Sequence, residues 1–179
     1  MNEVTNVLSK APVTWSIIFV LVAIYLSGPE TWINCDDKGL NQSILQSLIH
    51  VNFGHLAINM YALYSLSFLE ANFGSFNYGM LLGLLLLLSS WVETILSGLS
   101  IWPFPTCSIG FSAVILGLVI FDKLNVNNWI IDLEQLQFMI VLLLLPVIRD
   151  PKVSLTGHFS GIVAGIILAT LAGFFRIKA

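Results

Sequence analysis

IGFSAVILGLVIF, running from Ile109 to Phe121, is an uncharged apolar stretch of 13 residues, and its length decides the fold. At 1.5 Å per residue it makes a helix of about 20 Å, whereas the hydrocarbon core of a bilayer is about 30 Å thick. A helix that short does not cross alone. It starts part-way down, inside other helices, and the backbone feeding it dips in with it. Non-helical backbone at that depth is tolerated only where it lines a cavity or is buried in protein. The rest of the chain has to supply the surrounding wall.

The composition is suited to that task. Of 179 residues, 57% are hydrophobic and 9% charged, against roughly 45–50% and 25% in soluble domains. The mean hydropathy is +0.91. A water-soluble enzyme and a disordered chain are excluded, and 7 Lys and Arg cannot make a nucleic-acid footprint. At roughly 20 residues per span, the chain is a polytopic membrane protein of about six helices in a single domain over 1–179. The net charge of -3 says nothing about partners.

The spans follow from the apolar runs. Val13–Leu26 carries Trp15 and Tyr25 like interfacial belts. It reads as a membrane helix rather than a signal peptide, because Glu3 offsets Lys10 and no positive bias precedes it. Residues 28–43 are a polar loop. The second span is Ile44–Leu69, and Asn72-Phe73-Gly74-Ser75 turns the chain into the third, Tyr78–Leu99. Pro103 and Pro105 keep residues 100–108 out of regular helix. The short fourth span is followed by a second short one, Leu136–Ile148, and then by a full-length sixth, Val153–Phe175. The expected architecture is an all-α, six-transmembrane-helix bundle with a short central fourth helix and a water-filled indentation above it. Both termini share one side. Lys10, Lys123, Arg176 and Lys178 on that side against Lys38, Arg149 and Lys152 on the other lean towards cytoplasmic termini. No internal repeat of the transporter kind stands out.

Polar side chains within spans are costly, so each needs a reason. Ser112 opens the short helix, where unpaired backbone N–H groups can stabilise an oxyanion, and Gly110 lets the chain approach without a side chain in the way. A serine nucleophile needs a base, and His158 near the start of the sixth helix is suited to it. Gly157, Gly161 and Gly165 recur at helical spacing beside it, and Ala113 and Gly117 do so on the fourth helix. Such stripes allow backbones to touch, and packing one on the other brings His158 next to Ser112. His55 and Asn59, one turn apart, share a helix face and are suitable donors to an oxyanion. His50 points elsewhere and reads as structural. Glu93 reads as a water-lining residue on the cavity wall, with an orienting carboxylate as the alternative.

Taken together, His-x-x-x-Asn (His55, Asn59), Gly-x-Ser with a small residue (Gly110, Ser112, Ala113) and Gly-His-x-x-Gly-x-x-x-Gly (His158, Gly161, Gly165) resemble the rhomboid intramembrane serine proteases over roughly residues 44–170. Glu70-Ala71-Asn72-Phe73-Gly74-Ser75 is similar to the family's Glu-x-x-x-Gly-Ser. The resemblance implies a Ser112–His158 dyad, an oxyanion site made of His55, Asn59 and the Ser112 backbone N–H, and transmembrane proteins in the lipid bilayer as substrates. It departs from the family's usual pattern at Leu116, where an aromatic often stacks on the histidine, at Ala113 for Gly, and in having Trp32 without an adjacent Arg. The alternative is an inactive rhomboid-like protein that binds transmembrane helices. Such relatives typically lack the serine or the histidine, and this chain has both. No cofactor or metal is expected, since His50 and His55 lack the spacing of a helical zinc site. Cys35 and Cys107 are read as small apolar fillers in preference to one bridge, although both fall on the side of the active serine.

Overall fold

The computed structural model describes residues 10–28, 32–99, 107–126, 140 and 154–177. Among them the chain forms helices α1 (Pro12–Leu26), α2 (Leu40–Leu48), α3 (Phe53–Ser65), α4 (Phe68–Phe73), α5 (Ser75–Gly98), α6 (Ser112–Val126) and α7 (Leu155–Ile177). The all-helical bundle is as expected. The fifth span, Leu136–Ile148, lies outside the described residues apart from Ile140.

The side chains are arranged for a bilayer. Phe19, Ile58, Tyr61 and Phe76 are each at least 70% exposed, a distribution that water would penalise and lipid does not. Two helices, α5 and the Leu155–Gly173 part of α7, are long and apolar enough to cross a membrane by themselves. Helix α6, with 15 residues, is the central one. Ala113 to Leu118 are all buried along it, and Phe111, Val114, Ile115 and Leu118 pack into one core with Leu21 of α1, Leu56 and Leu63 of α3, Leu82 and Leu85 of α5 and Ala164 of α7.

The second span is not one helix. The expected run Ile44–Leu69 is broken at Ile49–Asn52 and again at Leu66–Ser67. Ile49 is extended, and the Asn52 side chain accepts the His55 N–H at 2.8 Å, capping α3 and ending the competition for a continuous helix. Gly74, at φ +78°, turns α4 into α5 in a conformation that glycine adopts without a steric penalty.

Helix α1 has Pro12 at its start and no side-chain cap of its own. The cap comes from α4. Glu70 accepts the Val13 N–H at 2.8 Å on one oxygen, and the Thr14 N–H and hydroxyl, both at 2.9 Å, on the other. Glu70 is 1% exposed, and its charge faces the positive end of the α1 dipole.

Cys35 and Cys107 are joined by a disulfide, with Cα atoms 5.1 Å apart and a separation of 72 positions in sequence; the filler reading is corrected. The bridge ties the loop after α1 to the segment that enters α6. Closing a loop of that length stabilises the fold by about 4 kcal/mol in the chain-entropy account. Native protein treated with an alkylating reagent should gain no mass until reductant is added, and its thermal midpoint should fall once the bridge is reduced. Two alkylated thiols without prior reduction would refute the bridge. The same loop is pinned by Lys38 Nζ, which donates to the Ser97 carbonyl near the end of α5 at 3.1 Å, and by Gln46, whose amide donates to the Asn34 carbonyl at 3.2 Å.

Candidate active site

Residues 107–111 run non-helically into the bundle, so their backbone groups need partners. The Ser108 N–H goes to Glu93 Oε1 of α5 at 3.1 Å. The Gly110 N–H goes to the Gln46 carbonyl of α2 at 3.0 Å, and the Phe111 N–H points at His50 Nε2 from 3.5 Å. Phe111 is buried in the core and fixes the depth at which the helix begins.

Ser112 is the first residue of α6. The Phe111 carbonyl accepts the first helical bond, from Ile115, so the Ser112 and Ala113 amides belong to the unpaired first turn. Ser112 Oγ lies 3.1 Å from His158 Nε2 across the α6–α7 contact. His158 is 4% exposed, and its backbone N–H is held by the Ser154 carbonyl at 3.3 Å.

The close approach comes from the small residues. A side-chain carbon on Gly161 would fall against the Ala113 carbonyl, and one on Gly165 would lie 2.5 Å from the Gly117 carbonyl. Gly157 packs instead on Ser108, in the entering segment. Gly110 makes a different kind of close approach. It is not a helix-packing residue but a backbone bend at φ +104°, and a side chain there would meet the His55 ring at 2.5 Å and the Asn59 amide nitrogen at 3.4 Å. His55 and Asn59 are thus brought together against the bend two residues before Ser112. Asn59 also donates to the His55 carbonyl at 3.2 Å.

Two other expectations change. Glu93 does not line a wet wall: it is 2% exposed and holds a backbone amide of the entering segment. His50 does not point away: its ring packs edge-on to His55 with centroids 5.2 Å apart. Gln46, Ser108 and Ser154 were not legible as site residues. Their partners are distant in sequence, and buried serines are common in membrane helices. A cavity of about 410 Å³ opens between α1 and α5, lined by residues such as Val13, Ile17, Gly79 and Phe111. Neither Ser112 nor His158 lines it, and its wall is apolar apart from Ser16, whose hydroxyl donates to the Pro12 carbonyl.

The fold and this site define a helical membrane protein with a serine and a histidine in contact at the start of a buried central helix. The sequence profile of the Rhomboid domain matches residues 38–174. A rhomboid-named curated protein of Acanthamoeba polyphaga mimivirus is 28% identical over 161 residues, covering 89% of this chain and 90% of the relative. The chain belongs to the rhomboid family.

Proposed function

We propose that the chain is an intramembrane serine endopeptidase that cleaves transmembrane segments of other membrane proteins. The observation that carries this reading is the 3.1 Å approach of Ser112 Oγ to His158 Nε2. With Nε2 unprotonated, the serine hydroxyl donates to it, and His158 takes the proton as Oγ attacks the scissile carbonyl. The negative charge then develops on the carbonyl oxygen beside the amides of the first turn of α6, within the side of the site flanked by His55 and Asn59. These are the donors assigned to the oxyanion. His158 returns its proton to the leaving amine, the acyl-enzyme forms on Ser112, and a water activated by the same histidine releases it. The bond to be cut must leave its helical hydrogen bonding to become extended, so segments with small or helix-breaking residues near the membrane boundary are favoured.

The disulfide supports an orientation. Cys107 lies in the segment that runs into Ser112, and disulfides persist in oxidising compartments. The side from which that segment enters then faces the oxidising compartment, and the Pro12 end of α1 and the Ile177 end of α7 face the cytoplasm.

Purified protein in detergent should react with a fluorophosphonate probe. Ser112→Ala and His158→Ala, shown to be folded and monodisperse, should lose labelling by at least about 10³-fold. Labelling that survives in Ser112→Ala would mean the nucleophile lies elsewhere. A folded wild type that never labels would favour a family member that binds transmembrane helices without cutting them.

A further inference from the structure

A serine and a histidine on two different helices hold their distance only if something fixes how those helices sit along each other. The glycine contacts set how near α6 and α7 come, but a smooth face of small residues resists sliding poorly. A second polar contact joins the same two segments. Ser108 Oγ donates to Ser154 Oγ at 2.7 Å, and both residues are 8% exposed. Ser108 lies four residues before Ser112, and Ser154 lies four residues before His158. The hydroxyl pair and the Ser112–His158 pair are therefore successive rungs between the same two stretches of chain.

Each end of the upper rung is anchored. Ser154 precedes the first residue of α7, and its hydroxyl accepts the Gly157 N–H at 3.3 Å, which is N-cap geometry. Ser108 is fixed through its own amide to Glu93 of α5. Gly157 leaves the room that the rung needs, since a side-chain carbon there would lie 2.6 Å from Ser108 Oγ. The buried carboxylate, which plays no part in the proton transfers, acquires a purpose in this arrangement.

We propose that Ser108 and Ser154 are positioning residues, a hydroxyl rung anchored on Glu93 that sets the register of Ser112 against His158. The proposal rests on Ser112 being the nucleophile and deepens that reading. Neither serine contacts the substrate; both act through the segments that carry the reacting groups.

The test is saturable labelling of the detergent-purified protein by a fluorophosphonate, which separates probe binding from the maximal rate of reaction. Ser108→Ala should lower the maximal rate about tenfold, with the half-saturating concentration within about twofold of wild type. Ser154→Gly removes the hydroxyl but keeps a tolerable helix start, and it should lose a similar factor. It serves as the probe of the rung should Ser108→Ala fail to fold. The double variant should be no slower than the slower single, because both lesions remove one contact. Ser154→Thr, which retains the hydroxyl and the cap, should restore at least about half the rate. A folded single variant reacting at the wild-type rate, or two losses that multiply in the double, would overturn the rung. A change confined to half-saturation would also overturn it. A folded wild type that does not label at all would instead remove the serine-protease reading, and the proposal with it.

Discussion

Gly161→Val is expected to yield no folded, monodisperse protein, and Gly161→Ala to yield folded protein whose probe labelling is lower by about 100-fold or more. The reason is backbone contact. A Cβ at position 161 would meet not only the Ala113 oxygen but also its carbonyl carbon at 2.8 Å and its Cα at 2.9 Å. A flexible side chain could swing aside, but the backbone of a buried central helix cannot. The helices must part, and the neighbouring contacts part with them: a Cβ on Gly117 would lie only 2.9 Å from the Gly161 carbonyl. Overpacking of this kind costs about 1–3 kcal/mol for small increments and more for branched ones. The larger consequence falls on chemistry, because Ser112 and His158 sit on the two helices being separated, and a misplacement of about 1 Å in reacting groups costs about 100-fold. Size-exclusion profiles, thermal midpoints and labelling rates check it. Wild-type labelling by Gly161→Ala would show that α7 does not rest on Ala113.

Gly110→Ala is expected to fold with a modestly lowered thermal midpoint while labelling falls by about 10²–10³-fold. Two penalties combine here. A φ of +104° is a conformation that L-residues with a side chain rarely adopt, at a cost of about 1–3 kcal/mol. The new methyl would also sit 2.5–2.8 Å from Cε1 and Nε2 of His55, so the imidazole must rotate away or the entering segment must shift. Either movement takes the assigned oxyanion donors out of register with Ser112. Adding His55→Ala to Gly110→Ala should recover midpoint, by removing the clash, and no labelling. Recovered labelling in that double variant would show that His55 is not an oxyanion donor.

What the sequence makes legible depends on how local the physics is. An uncharged apolar stretch of 13 residues cannot hide its shortness, even though the helix itself starts at Ser112 and runs on to Val126, and glycines every four positions have few uses besides close approach; Ser112, His158 and their packing are readable on those grounds. The break at Ile49–Asn52 is not, because Ile49, Val51 and Phe53 keep the run apolar and hydropathy is blind to the cap that Asn52 supplies. Glu93 was misread for a different reason. A carboxylate in a span signals that it has a partner, but not that the partner is the backbone of Ser108, 15 residues on. Cys35 and Cys107 have the same difficulty over a longer distance, since spacing carries no information about which loops meet.

The grip of Glu70 on the first turn of α1 bears on the order of assembly. Chains emerge N-terminus first, so α1 is synthesised long before the carboxylate that completes it, 56 residues later. Until then the Val13 and Thr14 amides lack that partner, and once Glu70 arrives its buried charge is satisfied chiefly by α1. Neither element is finished without the other. Helix α1 is therefore a late-closing part of the bundle although it precedes its partner in the chain, and deleting it would strand a carboxylate inside the fold rather than merely shorten the protein.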